Sequence, residues 1–313
     1  MNKFQAKIKH LLRNPLVIFA KIWEVASPWI SSDETFLKID FFLRMGKRLN
    51  LKDPQTFSEK LQWLKLFNQK KEYSVLVDKY EVRKFVAERI GEQHLIPLLG
   101  VYNNVDDIDF NSLPEKFVLK PTHDSGSIII CKDKTKLNIQ RAKSKLDKCL
   151  NRNYFLLGRE YPYKNAKRRI IAEQFMEDEN SSDLKDYKFF CFNGKPCILF
   201  YAADRYNSEG LPPKFDYYDM NFNLLDIRRS GHENSPKKLE HFPEFDQMKK
   251  FAEVLAQGIP FIRADFYLIK SHIYFGELTF FPAGGIVPFE PKKWDYKLGE
   301  MLRLPEEKTI DNN

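Results

Sequence analysis

Arg263 and Asp265 alternate with Ala264 and Phe266 in the run Phe261–Ile269, and that alternation predicts a strand with both charged side chains on one face. Residues 270–272 turn the chain, and His272–Leu278 returns as the antiparallel partner. Glu277 is then expected across from the Arg263/Asp265 region, with Thr279 two residues on and on the same side. Two carboxylates held on rigid strands suit Mg²⁺, a hard cation that also takes phosphate oxygens and water. The hairpin alone reads equally well as a surface salt-bridge cluster.

A second constellation lies in Phe117-Val-Leu-Lys-Pro-Thr-His-Asp-Ser-Gly-Ser127. Lys120 at a strand end supplies a point charge for phosphate, and the small-residue loop Ser125-Gly126-Ser127 lets backbone N–H groups approach the same anion. The GxxxxGK[ST] order is absent, so this is not a Walker loop. A third segment, Ile170–Met176, leaves an apolar run and turns polar, as one edge of an adenine slot would, although most such strands are simply core. Cys131, Cys149, Cys191 and Cys197 are scattered, with no CxxC or zinc spacing and no histidine motif beside them, and read as reduced thiols.

The elements that must position these groups are legible in outline. Residues 56–69 begin with a capping Thr or Ser ahead of Glu59 and continue at helical period. Residues 75–90 read as one amphipathic helix closed by Gly91. Strands are expected at 96–101, 116–120, 127–131, 170–175, 187–192, 197–201 and 215–219, with a helix at 245–257. The segment 134–169 is polar, Lys-rich and helical in expectation, with an aromatic loop around Tyr154–Tyr163, and the last eight residues read as a frayed tail. In residues 1–30, Phe4, Ile8, Leu11 and Leu12 make one stripe up to Pro15, and Leu16, Phe19 and Trp23 a second before Pro28. Both stripes could dock on the protein's own core or lie on a membrane surface.

The net charge of +8 is concentrated at the front, where residues 1–50 hold nine Lys/Arg against four Asp/Glu. A basic helix with aromatics suits an anionic membrane surface as well as RNA. With no nucleic-acid motif behind it, nucleic acid is not an expected partner. No apolar run approaches the roughly 20 residues that span a bilayer, and the first residues lack the apolar core of a secretory signal. The expected location is cytoplasmic, with residues 1–30 the segment for peripheral contact at the inner membrane face.

The order of the pieces says more than any one of them. Asp78-Lys79, Gly91…Leu95-Ile-Pro97, Val118-Leu-Lys-Pro121, Glu173-Gln-Phe-Met176, Asp186-Tyr-Lys188, Arg263-Ala-Asp265 and Gly276-Glu-Leu-Thr279, with Pro282 and Gly284-Gly285, resemble the ATP-grasp superfamily, whose D-alanine–D-alanine ligases show a similar succession. More narrowly, TFSEKLQWLKLF, LVDKYEVRKFV, FVLKPTHDSGS, RRIIAEQF, LKDYKFFCFNGK and YFGELTF resemble the TupA-like ATP-grasp family, linked to teichuronopeptide and capsular polysaccharide synthesis, over about residues 35–302.

The resemblance implies an α+β ATP-grasp fold with the nucleotide held between two α+β lobes and a helical N-terminal extension. The implied divisions are residues 1–50 as the basic extension, 51–110 as the N-terminal lobe, 111–172 as the central lid lobe and 173–313 as the C-terminal lobe with the Mg·ATP site. It implies that Lys79 and Lys120 hold the α/β-phosphates while Ser125, Gly126 and Ser127 close over the β/γ end. Glu173, Gln174, Phe175 and Met176 would be the adenine hinge, Asp186 the ribose contact and Lys188 a further phosphate contact. Asp265 and Glu277 would ligate Mg²⁺, and Arg263 would stabilise an acyl phosphate. Thr279 stands where many relatives have Asn, so its place in a second Mg²⁺ site is an open point, and Ala264 replaces a bulkier residue.

The implied activity is ATP-dependent joining of a carboxylate to an amine through an acyl phosphate, releasing ADP and phosphate. The implied substrates are a small or lipid-linked saccharide, such as a uronic acid, and an amino acid. A kinase or glycosyl-transfer enzyme on the same scaffold is the alternative, although no DxD sugar-nucleotide motif is present. A non-catalytic glycan-binding module is a third reading, opposed by the intact Lys79, Lys120, Asp265 and Glu277.

Overall fold

The computed structural model describes residues 16–177, 184–203, 213–236 and 238–311. Near the front, α1 (Leu16–Ala26) and α2 (Asp33–Met45) pack together. Trp23 stacks on Phe36 at 5.9 Å and donates its indole N–H to the Phe36 carbonyl, while Ala20 is buried. The other side of α1 is uncovered, with Phe19 57%, Ile22 62% and Val25 70% exposed, and Trp29 just beyond it 80% exposed. The expected second stripe is therefore split between core and solvent, and the first stripe (Phe4, Ile8, Leu11, Leu12) lies outside the described residues.

The helix α3 (Phe57–Phe67) starts at a capping box: the Thr56 hydroxyl accepts from the Glu59 N–H at 3.3 Å, and the Glu59 carboxylate accepts from the Thr56 N–H at 3.1 Å. It is buried nearly all round, so its polar side chains find partners across the fold. Gln62 donates to the Gly285 carbonyl at 2.9 Å, and Lys65 donates to the carbonyls of Gly158 and Gly284 at 2.8 and 2.7 Å.

The single helix expected at 75–90 is two, α4 (Tyr73–Val77) and α5 (Val82–Ile90). Asp78 between them is extended (ψ 116°), and its carboxylate accepts from the N–H groups of Tyr80 and Glu81 at 2.8 and 3.0 Å. An Asp side chain that takes the next backbone donors breaks the helical ladder and restarts it. Lys79 is displayed at that break, its own N–H tied to the Thr122 carbonyl.

The strands β1 (Leu98–Tyr102), β2 (Phe117–Pro121), β3 (Ile129–Cys131) and β4 (Ile170–Gln174) form a sheet in the order β1-β4-β2-β3, antiparallel throughout. β1, which the sequence division places in the 51–110 segment, hydrogen-bonds into this sheet through β4. Between β3 and β4 the helical expectation resolves into α6 (Ile139–Leu150), α7 (Phe155–Gly158) and short turns. Ala142 and Leu146 of α6 pack with Phe117, Leu119, Ile170 and Ala172.

The second half contributes β5 (Asp186–Phe192), β6 (Lys195–Ala203), β7 (Lys214–Asp219), β8 (Arg228–Arg229), α8 (Phe245–Ala256), β9 (Phe261–Ile269), β10 (His272–Thr279), β11 (Phe289–Glu290) and α9 (Lys293–Met301). Five of these strands make an antiparallel sheet in the order β10-β9-β5-β6-β7. One face is apolar and lies on α8, where Phe189 meets Phe245 at 5.8 Å. The other face carries Asp186, Lys188, Arg263, Asp265 and Glu277, as the period of two requires.

The β9–β10 turn is two residues long, with Lys270 and Ser271 at φ 49° and 59°, the conformation of a type I′ hairpin. Unbroken pairing from that turn would set Glu277 opposite Ala264 and point it at α8. Instead the register shifts between Phe275 and Glu277, so Glu277 pairs with Asp265 and Thr279 with Arg263. Gly276 is the extra residue, and a Cβ there would lie 3.0 Å from the Asp265 carbonyl oxygen. The chain end is docked rather than frayed up to Asp311. Thr309 bridges to Asn68, and Tyr161 donates its hydroxyl to Asp311 at 2.8 Å. Among the described residues no helix is long and apolar enough to cross a membrane.

Candidate active site

The polar face of the five-stranded sheet concentrates charge in one row. Glu277, Asp265 and Lys188 are successive cross-strand partners on β10, β9 and β5. The Lys188 ammonium lies 2.5 Å from Asp265 and 2.6 Å from Asp186. Arg263 donates twice to Asp265, both bonds at 2.7 Å, and once to Glu277 at 2.9 Å. The Thr279 hydroxyl accepts from Arg263 at 3.1 Å and donates to Glu277 at 3.2 Å.

Burial alone would raise the Glu277 carboxyl, but Arg263, Lys188, Lys79 and the Thr279 hydroxyl hold it down at about 2. Burial pushes Asp265 up against the pull of Arg263 and Lys188. For Arg263 the carboxylates of Asp265, Glu277 and Asp186 outweigh burial and lock the charge on.

Opposite this row stand the lysines. Lys79 donates to the Asp124 carbonyl, and Lys120 pairs with Glu173 at 2.6 Å, which Arg83 also approaches at 3.4 Å. Burial lowers the Lys79 pKa while Glu277 and Asp124 raise it, so this lysine feels both sides of the cleft. In the Ser125–Ser127 loop, Gly126 has φ +85° and open space around it, and Arg152 reaches the Asp124 carboxylate at 3.2 Å and the Ser127 hydroxyl at 3.3 Å.

A cleft of about 250 Å³ joins the two sides. Lys79, Lys120, Ser125–Ser127, Glu173, Asp186, Lys188, Asp265 and Glu277 all line it, and Leu95, Ile96 and Leu278 give it apolar wall. Arg263 and Thr279 lie behind Glu277 rather than on the cleft wall. Gln174, Phe175 and Met176 are not on the wall either. The Gln174 N–H is tied to the Pro97 carbonyl, and Phe175 lies 5.7 Å from the Lys132 ammonium. Sequence reasoning misses Arg83, Asp124 and Tyr163 as lining groups. Of these, Asp124 sits inside the Lys120–Ser127 motif and can be found there, whereas Arg83, within LVDKYEVRKFV, and Tyr163, at the end of the aromatic loop, stand in marked segments without a residue type or spacing that names a role.

Residues 59–303 match the sequence model of the family described as TupA-like ATPgrasp. The chain belongs to this family. No curated protein compared with the chain matches it. Among solved structures, D-alanine–D-alanine ligase from Bacillus anthracis in complex with ATP is similar at 13% identity and TM-score 0.41, over 73% of this chain and 63% of that one. D-alanine–D-alanine ligase from Helicobacter pylori is similar at 16% identity and TM-score 0.37, over 73% and 62%. Phosphoribosylamine–glycine ligase from Thermotoga maritima is similar at 11% identity and TM-score 0.41, over 67% and 49%. The chain thus spans less than two thirds of the length of each of these proteins.

The TupA-like site fits a Mg²⁺ ion on its own chemistry. Asp265 and Glu277 are cross-strand neighbours that offer hard oxygen donors, and Glu277 stays ionised far below neutral pH. Among the described residues there is no group of three or more His, Cys, Asp or Glu side chains placed to hold a metal. Two carboxylates leave the remaining octahedral positions to water and phosphate oxygens, which is how Mg²⁺ is held beside nucleotides.

Proposed function

We propose that this TupA-like protein is an ATP-dependent carboxylate–amine ligase acting on a saccharide precursor of surface polysaccharide, with a uronic-acid carboxyl and an amino acid as its substrates. The observation that carries this reading is the charged row Glu277–Asp265–Lys188, backed by Arg263 and faced across one cleft by Lys79 and Lys120. Lys79, Lys120 and the Ser125–Ser127 loop hold the phosphates of ATP, and Asp186 lies on the same wall for the ribose. The apolar wall of Leu95, Ile96 and Leu278 accepts the base, with Glu173 at its edge. Asp265 and Glu277 hold Mg²⁺, which when bound withdraws charge from the phosphate oxygens.

A substrate carboxylate oxygen attacks the γ-phosphorus and ADP leaves. The amine nitrogen then attacks the acyl carbon, phosphate departs with the electron pair, and the ammonium proton is lost. Arg263, behind the row and bonded to both Asp265 and Glu277, supplies a permanent cation for the acyl group as it turns anionic. No side-chain nucleophile is required.

The test is a product assay with Mg·ATP, uronic acids and amino acids. ADP and phosphate should appear only with the carboxylate present, and hydroxylamine should trap a hydroxamate in the absence of the amine. A phosphorylated product that hydroxylamine leaves intact would instead establish a kinase, and consumption of a sugar nucleotide without ATP would establish glycosyl transfer.

A further inference from the structure

The charged row does not stop at β5. Lys188 pairs with Phe200 on β6, and Phe200 pairs with Tyr217 on β7, so Tyr217 shares the face and the row of Asp265. Three strand spacings separate the two backbones, roughly 14 Å. Tyr217 is only 2% exposed, its ring stacked on Phe200 at 5.0 Å, yet its hydroxyl has no hydrogen-bond partner among the described residues. A phenol in a residue this buried ordinarily finds one, and the hydroxyl oxygen itself is not among the fully enclosed unpartnered atoms, so it stays open to a ligand.

Beside it, β8 pairs with β11 through Arg229 and Phe289, and the Arg229 guanidinium lies 5.9 Å from the Phe215 ring. Arg229 is half-buried, and its guanidinium forms no ion pair or hydrogen bond among the described residues, its carbonyl accepting from the His232 N–H. The groups that bear on its charge are the Tyr217 hydroxyl and Arg263, with burial acting against it and no carboxylate among them. Tyr217 in turn lies in the field of both guanidiniums. Arg263 is already paired with Asp265 and Glu277, so Arg229 is the cation here with no counter-charge among the described residues, an arrangement that an anion completes, since a desolvated charge without a partner is costly.

We propose that Arg229 and Tyr217 form an oxyanion subsite for the acyl substrate, on the far side of Arg263 from the nucleotide, which takes a carboxylate or a phosphate group of that substrate. The forked guanidinium suits either anion, and the neighbouring phenol adds a donor. This rests on the ligase reading above.

The experiment titrates full-length protein, saturated with Mg·AMPPNP, with glucuronate, glucose 1-phosphate and glucose. At least one anionic probe should bind and glucose should not, and comparison of the two anions tells carboxylate from phosphate. Arg229→Met should weaken the anion at least ~10-fold, Arg229→Lys less, and Tyr217→Phe several-fold, all with Mg·AMPPNP affinity retained as the check of folding. Equal anion affinity in Arg229→Met and wild type overturns the subsite, as does absence of anion binding by the wild type, or glucose binding as tightly as the anions. If Arg229-dependent anion binding is found but no substrate supports ADP release, the ligase reading fails and the subsite stands. Turnover with an acyl substrate whose KM is unmoved by Arg229→Met upholds the ligase and overturns the subsite.

Discussion

Glu277 and Asp265 share one pair of cations, and their removal should not be equivalent. Glu277→Gln loses a carboxylate whose side chain is 39% exposed and leaves Arg263 bonded to Asp265, so folding survives while turnover falls at least ~100-fold. An unchanged turnover in the folded variant would remove Glu277 from the metal assignment. Lys120 and Lys79 differ in the same way. Lys120 is paired with Glu173 at 2.6 Å, so Lys120→Met leaves that carboxylate to Arg83 at 3.4 Å. Ligand-free stability should fall by about 1–3 kcal/mol alongside nucleotide affinity. Lys79→Met, whose ammonium meets only a carbonyl among the described residues, should lower nucleotide affinity with a smaller change in melting temperature. Calorimetry and a melt on each variant separate the two. Glu160 gives a pH signature. Burial pushes its carboxyl up to about 7 against the pull of Lys65. The folded state therefore binds the proton more tightly than the unfolded chain. That contribution is fully present below the ordinary carboxylate range and is lost as pH rises through about 7. Glu160→Gln should gain melting temperature relative to wild type between pH 5 and pH 8. A constant difference across that range would remove the titration from Glu160.

The element that decides the chemistry is the β9–β10 hairpin, and its decisive residue is Gly276 rather than either carboxylate. The bulge there turns Glu277 from the α8 side to the Asp265 side, and a Cβ at 276 would crowd the Asp265 carbonyl at 3.0 Å. Gly276→Val should therefore cut turnover at least ~10-fold, by displacing the Glu277 carboxylate, while the chain still folds. Turnover within two-fold of wild type would show that the register does not depend on the missing side chain. The hairpin itself is legible in the sequence because Arg263 and Asp265 alternate with apolar neighbours. The bulge is not, because a one-residue shift leaves the apolar and polar residues of His272–Thr279 in the same order. The break at Asp78 is hidden for a related reason. Apolar period continues through Leu76, Val77 and Val82, and only the side-chain bonds of Asp78 to Tyr80 and Glu81 interrupt the ladder. The cleft's two sides can be named from motif order, but their meeting across more than a hundred residues of sequence is a property of the sheets alone. The hinge residues after Glu173 show the limit: motif order marks four positions, and one reaches the wall.

On the scale of the whole molecule, the N-terminal segment ties an uncovered apolar face to the body that carries the site. Arg159 donates to the carbonyls of Ser27 and Ile30 at 2.7 and 2.8 Å, and Trp23 is packed on Phe36, so this segment cannot be deleted without exposing core. Phe19, Ile22, Val25 and Trp29 point the other way, into solvent. The sequence of residues 1–50 holds nine Lys/Arg against four Asp/Glu, a composition suited to contact with an anionic bilayer, to which each nearby basic residue contributes about 1 kcal/mol and exposed aromatic rings a place at the headgroups. Such contact would hold the cleft near lipid-linked saccharides. Flotation of the full-length chain with phosphatidylserine vesicles should therefore recover the protein, and neutral vesicles or added salt should release it. Replacing Phe19 and Trp29 together with Ser should abolish flotation and leave the melting temperature close to wild type, because both side chains are mostly solvent-exposed. Trp23→Ala should do the reverse, lowering the melting temperature with less effect on flotation, because its ring belongs to the packed side of α1. Failure of the full-length chain to float, or equal flotation by the Phe19/Trp29 variant, would leave this face without a lipid partner.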